Sequence, residues 1–220
     1  MKQLIHALLT VFLLCCPLGG TASADPATLP PPRAPLDTSG FLEGDVIFQP
    51  SALSVQSLAI QIATRSRYSH CGIITIRDGE PWVFEAIRTV TWTPLAAWIK
   101  RGVDGHYVLM RIKDRDTVLG SREIRAMKEA AQSFANKKYD LYFKWTDDEI
   151  YCSELIWKIY ERGAGLELAP LRRIRDYDLK HEEVQKRIKE RYGYDVPWDE
   201  RVIAPSDLME SPLLEKVGWN

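Results

Sequence analysis

Hydrophobic positions change period along the chain, and each change marks an element. Residues 44–48 (Gly-Asp-Val-Ile-Phe) read as a short buried strand, and 55–64 as a helix with Leu58 and Ile62 on its apolar face. Two β-prone runs, 69–77 and 82–88, flank Asp78-Gly79, which predicts a hairpin. Residues 89–92 continue extended, Pro94 opens a short helix through Ile99, and 106–112 give another strand. A helix follows over 121–136, where Ile124, Met127, Ala131 and Phe134 recur at helical spacing. After an aromatic stretch at 139–145, a helix opens at Cys152 and ends at Gly163, with Leu155, Ile156, Ile159 and Tyr160 three, four, seven and eight residues on from the cysteine. Residues 175–191 read as a charged helix or partly ordered segment, and 206–209 as a short terminal turn. No internal repeat is visible.

The start of the chain has another character. Lys2, an apolar run over 8–14 and Ala22-Ser23-Ala24 before Asp25 form the pattern of a cleavable export signal over 1–24. The run is too short to span about 30 Å of hydrocarbon, and Pro17, Gly19 and Gly20 break it. Cys15 and Cys16 raise a lipoprotein alternative, which Leu14 disfavours because a small residue is wanted there. Residues 25–40, with five prolines, predict an extended linker, and 41–220 a single catalytic domain. The expected location is periplasmic or secreted, with no membrane span after cleavage. Loss of the signal takes one Lys and no acid, moving the net charge from −1 to −2, so no basic field exists for nucleic acid.

Cleavage leaves two cysteines, Cys71 and Cys152, in a compartment that permits disulfides. Strand alternation points His70 and Cys71 to opposite faces. With a two-residue loop at Asp78-Gly79, Arg77 faces Glu80 and Gly72 faces Glu85, which makes Glu85 and His70 diagonal neighbours on one face; Pro81 leaves that register open. On this geometry Glu85 orients His70, and His70 draws the proton from Cys152. The helix start favours a thiolate, Asp147, Asp148 and Glu149 oppose it, and the Cys152 N–H is free for an oxyanion. A Cys71–Cys152 disulfide and a Cys152–His70 dyad then become alternative fates. Gly72 leaves room for an incoming side chain, and Glu85 is a charge in an apolar strand that needs a partner. His106 reads as structural and His181 as solvated. No metal-ligand spacing is present and no cofactor is implied. Tyr68, Tyr142 and Tyr151 are candidates along a substrate groove, beside Tyr139, Phe143 and Trp145.

Gly44-Asp45-Val46-Ile47-Phe48, Gln56-Ser57-Leu58-Ala59-Ile60, Tyr68-Ser69-His70-Cys71-Gly72-Ile73, Val83-Phe84-Glu85-Ala86, Tyr139-Asp140-Leu141-Tyr142-Phe143 and Tyr151-Cys152-Ser153-Glu154-Leu155-Ile156-Trp157 together resemble the permuted papain-like cysteine amidases and peptidases of the YiiX and YaeF type, related to the NlpC superfamily. The order His70 before Cys152 is that of the circularly permuted branch. The resemblance implies Cys152 as nucleophile, His70 as base and Glu85 as the residue that orients it. The expected fold is α+β and permuted papain-like (NlpC-type), an antiparallel sheet packed against the helix that bears the nucleophile. The expected reaction is amide cleavage through a thioester, with cell-wall peptides as substrates. Lipid N-acyl or ester bonds, hydrolysed or transferred, are the alternative, and a non-catalytic peptide- or lipid-binding module is the competing class.

Overall fold

A computed structural model describes residues 37–51 and 54–220; the expected signal at 1–24 and most of the expected linker lie outside the described residues. The elements run β1 (Val46–Gln49), α1 (Val55–Thr64), β2 (His70–Arg77), β3 (Glu80–Ala86), β4 (Val90–Pro94), α2 (Leu95–Arg101) and β5 (Val108–Ile112). They continue with α3 (Arg115–Val118), α4 (Ser121–Phe134), α5 (Cys152–Ala164), β6 (Arg172–Arg173), α6 (Glu182–Tyr192), β7 (Arg201–Val202), α7 (Pro205–Met209) and β8 (Leu214–Trp219).

Six strands form one sheet in the order β4-β3-β2-β1-β5-β8, every pair antiparallel. At the β2–β3 turn both Asp78 (φ 51°) and Gly79 (φ 83°) take positive φ, the two-residue turn whose twist matches its strands. The ladder runs from Arg77 opposite Glu80 to Ile73 opposite Phe84, and Pro81 sits opposite Ile76 without shifting it. The sheet has two buried faces. Val46, Phe48, Cys71, Ile73, Phe84, Ala86 and Met110 pack with Leu155, Ile156, Ile159 and Tyr160 of α5. On the other face Ile47, Ile74, Val83 and Leu109 pack with Leu95, Trp98 and Ile99 of α2. This mixed arrangement of helices and antiparallel sheet is the expected α+β fold.

The structure departs from the sequence reading in four places. Leu58 of α1 is exposed and Ser57 is the residue buried there, because Ser57 hydrogen-bonds Ser69 at 2.6 Å at the end of β2. Only the second part of 175–191 is α-helical, after a 3-10 turn at Ile174–Asp176; Asp178 is held by Arg65 and by the Ala63 carbonyl, and α6 begins after His181, whose ring accepts from the Glu183 N–H. A Cβ on Gly72 would fall 2.2 Å from Cγ1 of Val83, so its space is occupied by the neighbouring strand rather than open to an incoming group. β8 pairs with β5 although Leu214 is its only buried residue, which is why its pattern carries no strand signal.

Candidate active site

Glu85 lies on the α2 face of β3 and is fully buried. Its Oε2 accepts from His70 Nε2 at 2.6 Å, Trp98 Nε1 at 2.9 Å and Arg101 Nη2 at 2.6 Å. Its Oε1 accepts from Thr93 Oγ1 and from the same Arg101 nitrogen, each at 2.5 Å. Burial alone would raise this carboxyl, but His70, then Arg101 and Thr93, hold it down at about 2. The diagonal His70–Glu85 arrangement read from the two-residue turn is therefore the geometry found. Trp98 also stacks on the His70 ring, with centroids 5.9 Å apart.

With Nε2 on Glu85, Nδ1 of His70 is the nitrogen left for sulfur. Burial opposes a charge on the imidazole, but its interactions with Cys152 and Glu85 win and push it up to about 9. Cys152 is buried as the first residue of α5, where its N–H has no intrahelical partner. Its thiol is held well below the usual range, first by the Cys71 thiol, against burial, and then by His70 and the Cys71 N–H. The sulfur thus interacts with both His70 and Cys71, and the alternation of β2 does not separate the two. It meets the strand at its first residues, where a ring from one face and a thiol and N–H from the other both come within reach. Both cysteines are free thiols.

Asp147 bears on this less than its position in the chain implies. Lys158 and Arg162 bind it at 2.9 Å, on the flank of α5 beyond its first turn, and hold its carboxyl at about 2.

The groove candidates separate. Asp140 accepts from the N–H groups of Tyr142 and Lys144, and this tight turn sends Phe143 inward while Tyr142 stays exposed against Tyr192. Tyr68 hydrogen-bonds His106 Nε2 at 3.2 Å and does not line the cleft next to Cys152. Tyr151 does line it, with its hydroxyl taken by the Ile203 N–H at 3.1 Å. Trp145 packs edge-on against Trp157. The hydroxyl that interacts with Cys152 belongs to Tyr139, which accepts from Gln56 Nε2 at 3.2 Å and so can direct its own proton to the sulfur. Burial, then Cys152, raise that phenol above its usual range. Arg101, Trp98, Thr93 and Cys71 were not legible as site residues. Only the offset of Trp98 and Arg101, three residues apart on one helix, hints that they share a target.

A cysteine at a helix start, facing a histidine that a buried carboxylate holds from behind, on a sheet in the order His before Cys, defines a papain-like cysteine hydrolase site in permuted form. Residues 41–218 match the permuted papain-like amidases of the YaeF/YiiX type, the C92 family, and the chain belongs to that family. It is 40% identical over 175 residues to the uncharacterized protein YiiX of Escherichia coli strain K12, covering 80% of this chain and 85% of that one. It also superposes on the crystal structure of the metalloprotein YiiX from Escherichia coli O157:H7 with a TM-score of 0.78 and 38% identity, over 82% of this chain and 98% of that one. In this chain no group of three or more His, Cys, Asp or Glu side chains converges to hold a metal, among the described residues. Both Glu85 oxygens and His70 Nε2 are engaged by neighbouring groups.

Proposed function

We propose that the protein is an exported cysteine hydrolase that cleaves an amide bond through a thioester acyl-enzyme. What supports the reading is the pairing of opposite displacements: the Cys152 thiol held low beside a His70 imidazole held high, with buried Glu85 behind it. At neutral pH this favours thiolate and imidazolium over the neutral pair. Cys152 Sγ attacks the carbonyl carbon, the C–N bond breaks, and His70 gives its proton to the departing amine. The Cys152 N–H, which has no intrahelical partner, is available to the developing oxyanion. A water then gives its proton to His70 and attacks the thioester, releasing the acid.

The expected export signal, together with an amidase family, favours cell-wall peptides as substrates, and lipid N-acyl or ester bonds are the second reading. Wild-type and Cys152→Ala protein are incubated with purified peptidoglycan fragments and with acyl lipids. Product from the wild type alone is expected in one panel. Product from neither, together with a thiol that titrates near about 8.5, would leave only a binding module.

A further inference from the structure

Two thiols meet at the candidate site, and amide cleavage uses only one of them as a nucleophile. Cys71 is the second residue of β2 and points to the α5 face of the sheet, opposite Phe48 in the ladder. Cys152 is the first residue of α5, the helix packed on that face. Both are buried in one cluster with Ile73, Leu155 and Ile156, and both are free thiols. The Cys152 sulfur accepts from the Cys71 N–H as well as from its thiol. The two side chains therefore converge from facing elements, as a disulfide requires.

The two sulfurs differ in access. Cys152 lines an open cleft, which a small oxidant can enter, whereas Cys71 is fully buried and does not line it. They differ in charge as well. Cys152 is the thiol held low, and Cys71 is the one pushed up, by burial and then by Cys152. Oxidation begins on the accessible thiolate, so Cys152 reacts first. Oxygen on its sulfur makes a neutral sulfenic acid, and the anion that helped to hold the Cys71 proton is gone.

We propose that Cys71 is the resolving cysteine of a peroxide-sensitive pair, closing a reversible Cys71–Cys152 disulfide that switches the nucleophile off and shields it from irreversible oxidation. In the first step Sγ of Cys152 attacks hydrogen peroxide and the O–O bond breaks. The sulfur gains one oxygen and loses two electrons, His70 supplies its proton, and water leaves. In the second step Sγ of Cys71 attacks Sγ of Cys152, the S–S bond forms and the S–O bond breaks. The departing hydroxide takes the Cys71 proton and leaves as water. Two thiols and one peroxide thus give one disulfide and two waters, and His70 is left neutral with no thiol to deprotonate. The pair goes beyond the hydrolase reading: it needs Cys152 as a thiolate and is indifferent to the substrate.

The full chain is treated with excess hydrogen peroxide and then with dithiothreitol, and is followed by peptide mass and by iodoacetamide labelling of Cys152. In the wild type the Cys71 and Cys152 peptides should appear linked and lighter by the two thiol hydrogens. Labelling should be lost, and dithiothreitol should restore it in full. Cys71→Ala and, separately, Cys71→Ser should end with two or three oxygens on Cys152 and with labelling that dithiothreitol does not restore. The linked peptide is read on the wild type, so the test does not hang on how either variant folds. The resolving role is overturned by a wild type whose Cys152 carries oxygen while Cys71 stays free, by a Cys152 that peroxide leaves unchanged, or by a disulfide between two chains. Full recovery of the variants would overturn it too. Each of these leaves the hydrolase reading intact. Untreated protein that iodoacetamide labels only near about pH 8.5 and above would instead remove the activated thiol on which both depend.

Discussion

Nε2 of His70 stands 2.6 Å from Oε2 of Glu85, and that one bond decides which ring nitrogen is left for the sulfur. The carboxylate is buried, charged and bound to Thr93, Trp98 and Arg101 as well, so its position is fixed from several sides. Glu85→Gln keeps the shape and removes the charge. The imidazolium loses an anionic partner, so the His70 pKa should fall and the alkaline limb of kcat should move to lower pH. A fall in kcat of about 10²–10⁴ is expected. A pH profile of the variant whose alkaline limb coincides with that of the wild type would show that Glu85 does not set His70.

The His70 and Cys152 displacements predict two pH curves that part company. Alkylation of Cys152 needs only the thiolate, so it should already be fast well below pH 8.5 and should not decline at high pH. Acyl transfer also needs the imidazolium, so it should decline as pH rises through about 9. Stability at the acid end follows from Glu85. Its folded pKa is depressed to about 2, so its contribution is present above the unfolded value of about 4.5 and is lost as pH falls through about 2. Denaturant unfolding between pH 5 and pH 2 should show a shallower loss in Glu85→Gln than in the wild type. Parallel slopes would contradict the depressed carboxyl.

Cys71 is expected to act as a donor to the nucleophile, because its thiol is the first of the groups that lower the Cys152 thiol. Its own thiol is pushed up, by burial first and then by Cys152, so at neutral pH it keeps a proton to share with the neighbouring sulfur. Cys71→Ala removes that donor but not the backbone N–H. The midpoint of Cys152 alkylation should shift to higher pH, and kcat should fall up to about tenfold, the worth of one modest hydrogen bond. Cys71→Ser restores an O–H donor and should recover part of the shift. Identical midpoints for all three proteins would rule this role out.

The hairpin was legible because its information is local. Asp78-Gly79 dictates a two-residue turn, the turn fixes the register, and the register places His70 diagonal to Glu85. The same holds for α5, where spacing from Cys152 marks the buried stripe. What escaped depends on distant pieces of chain meeting. Arg101 and Trp98 reach Glu85 because α2 folds back across the sheet, and no periodicity in 95–101 names that target. Ser57 replaces Leu58 on the buried side of α1 because Ser69 waits for it. Tyr139 rather than Tyr68 is the tyrosine beside the sulfur for a similar reason, since the Arg88 carbonyl just beyond β3 holds the Tyr139 N–H.

Gly163 offers a test of how α5, and with it Cys152, is seated. In an open helix, Gly→Ala gains about 1 kcal/mol through helix propensity. Here a Cβ would lie 2.5 Å from the backbone N and Cα of Met127 and 2.4 Å from its Cγ. Main chain on α4 cannot swing aside as a side-chain tip does, so the clash should outweigh the propensity gain. Gly163→Ala is expected to lose about 1–3 kcal/mol in urea unfolding, with Gly163→Val worse. Relief requires α4 and α5 to move apart, which would also disturb the Cys152 end of the helix. Slower alkylation of Cys152 should therefore accompany the loss. A Gly163→Ala protein as stable as the wild type would mean that the two helices separate without cost and that close packing at this crossing does not position the nucleophile.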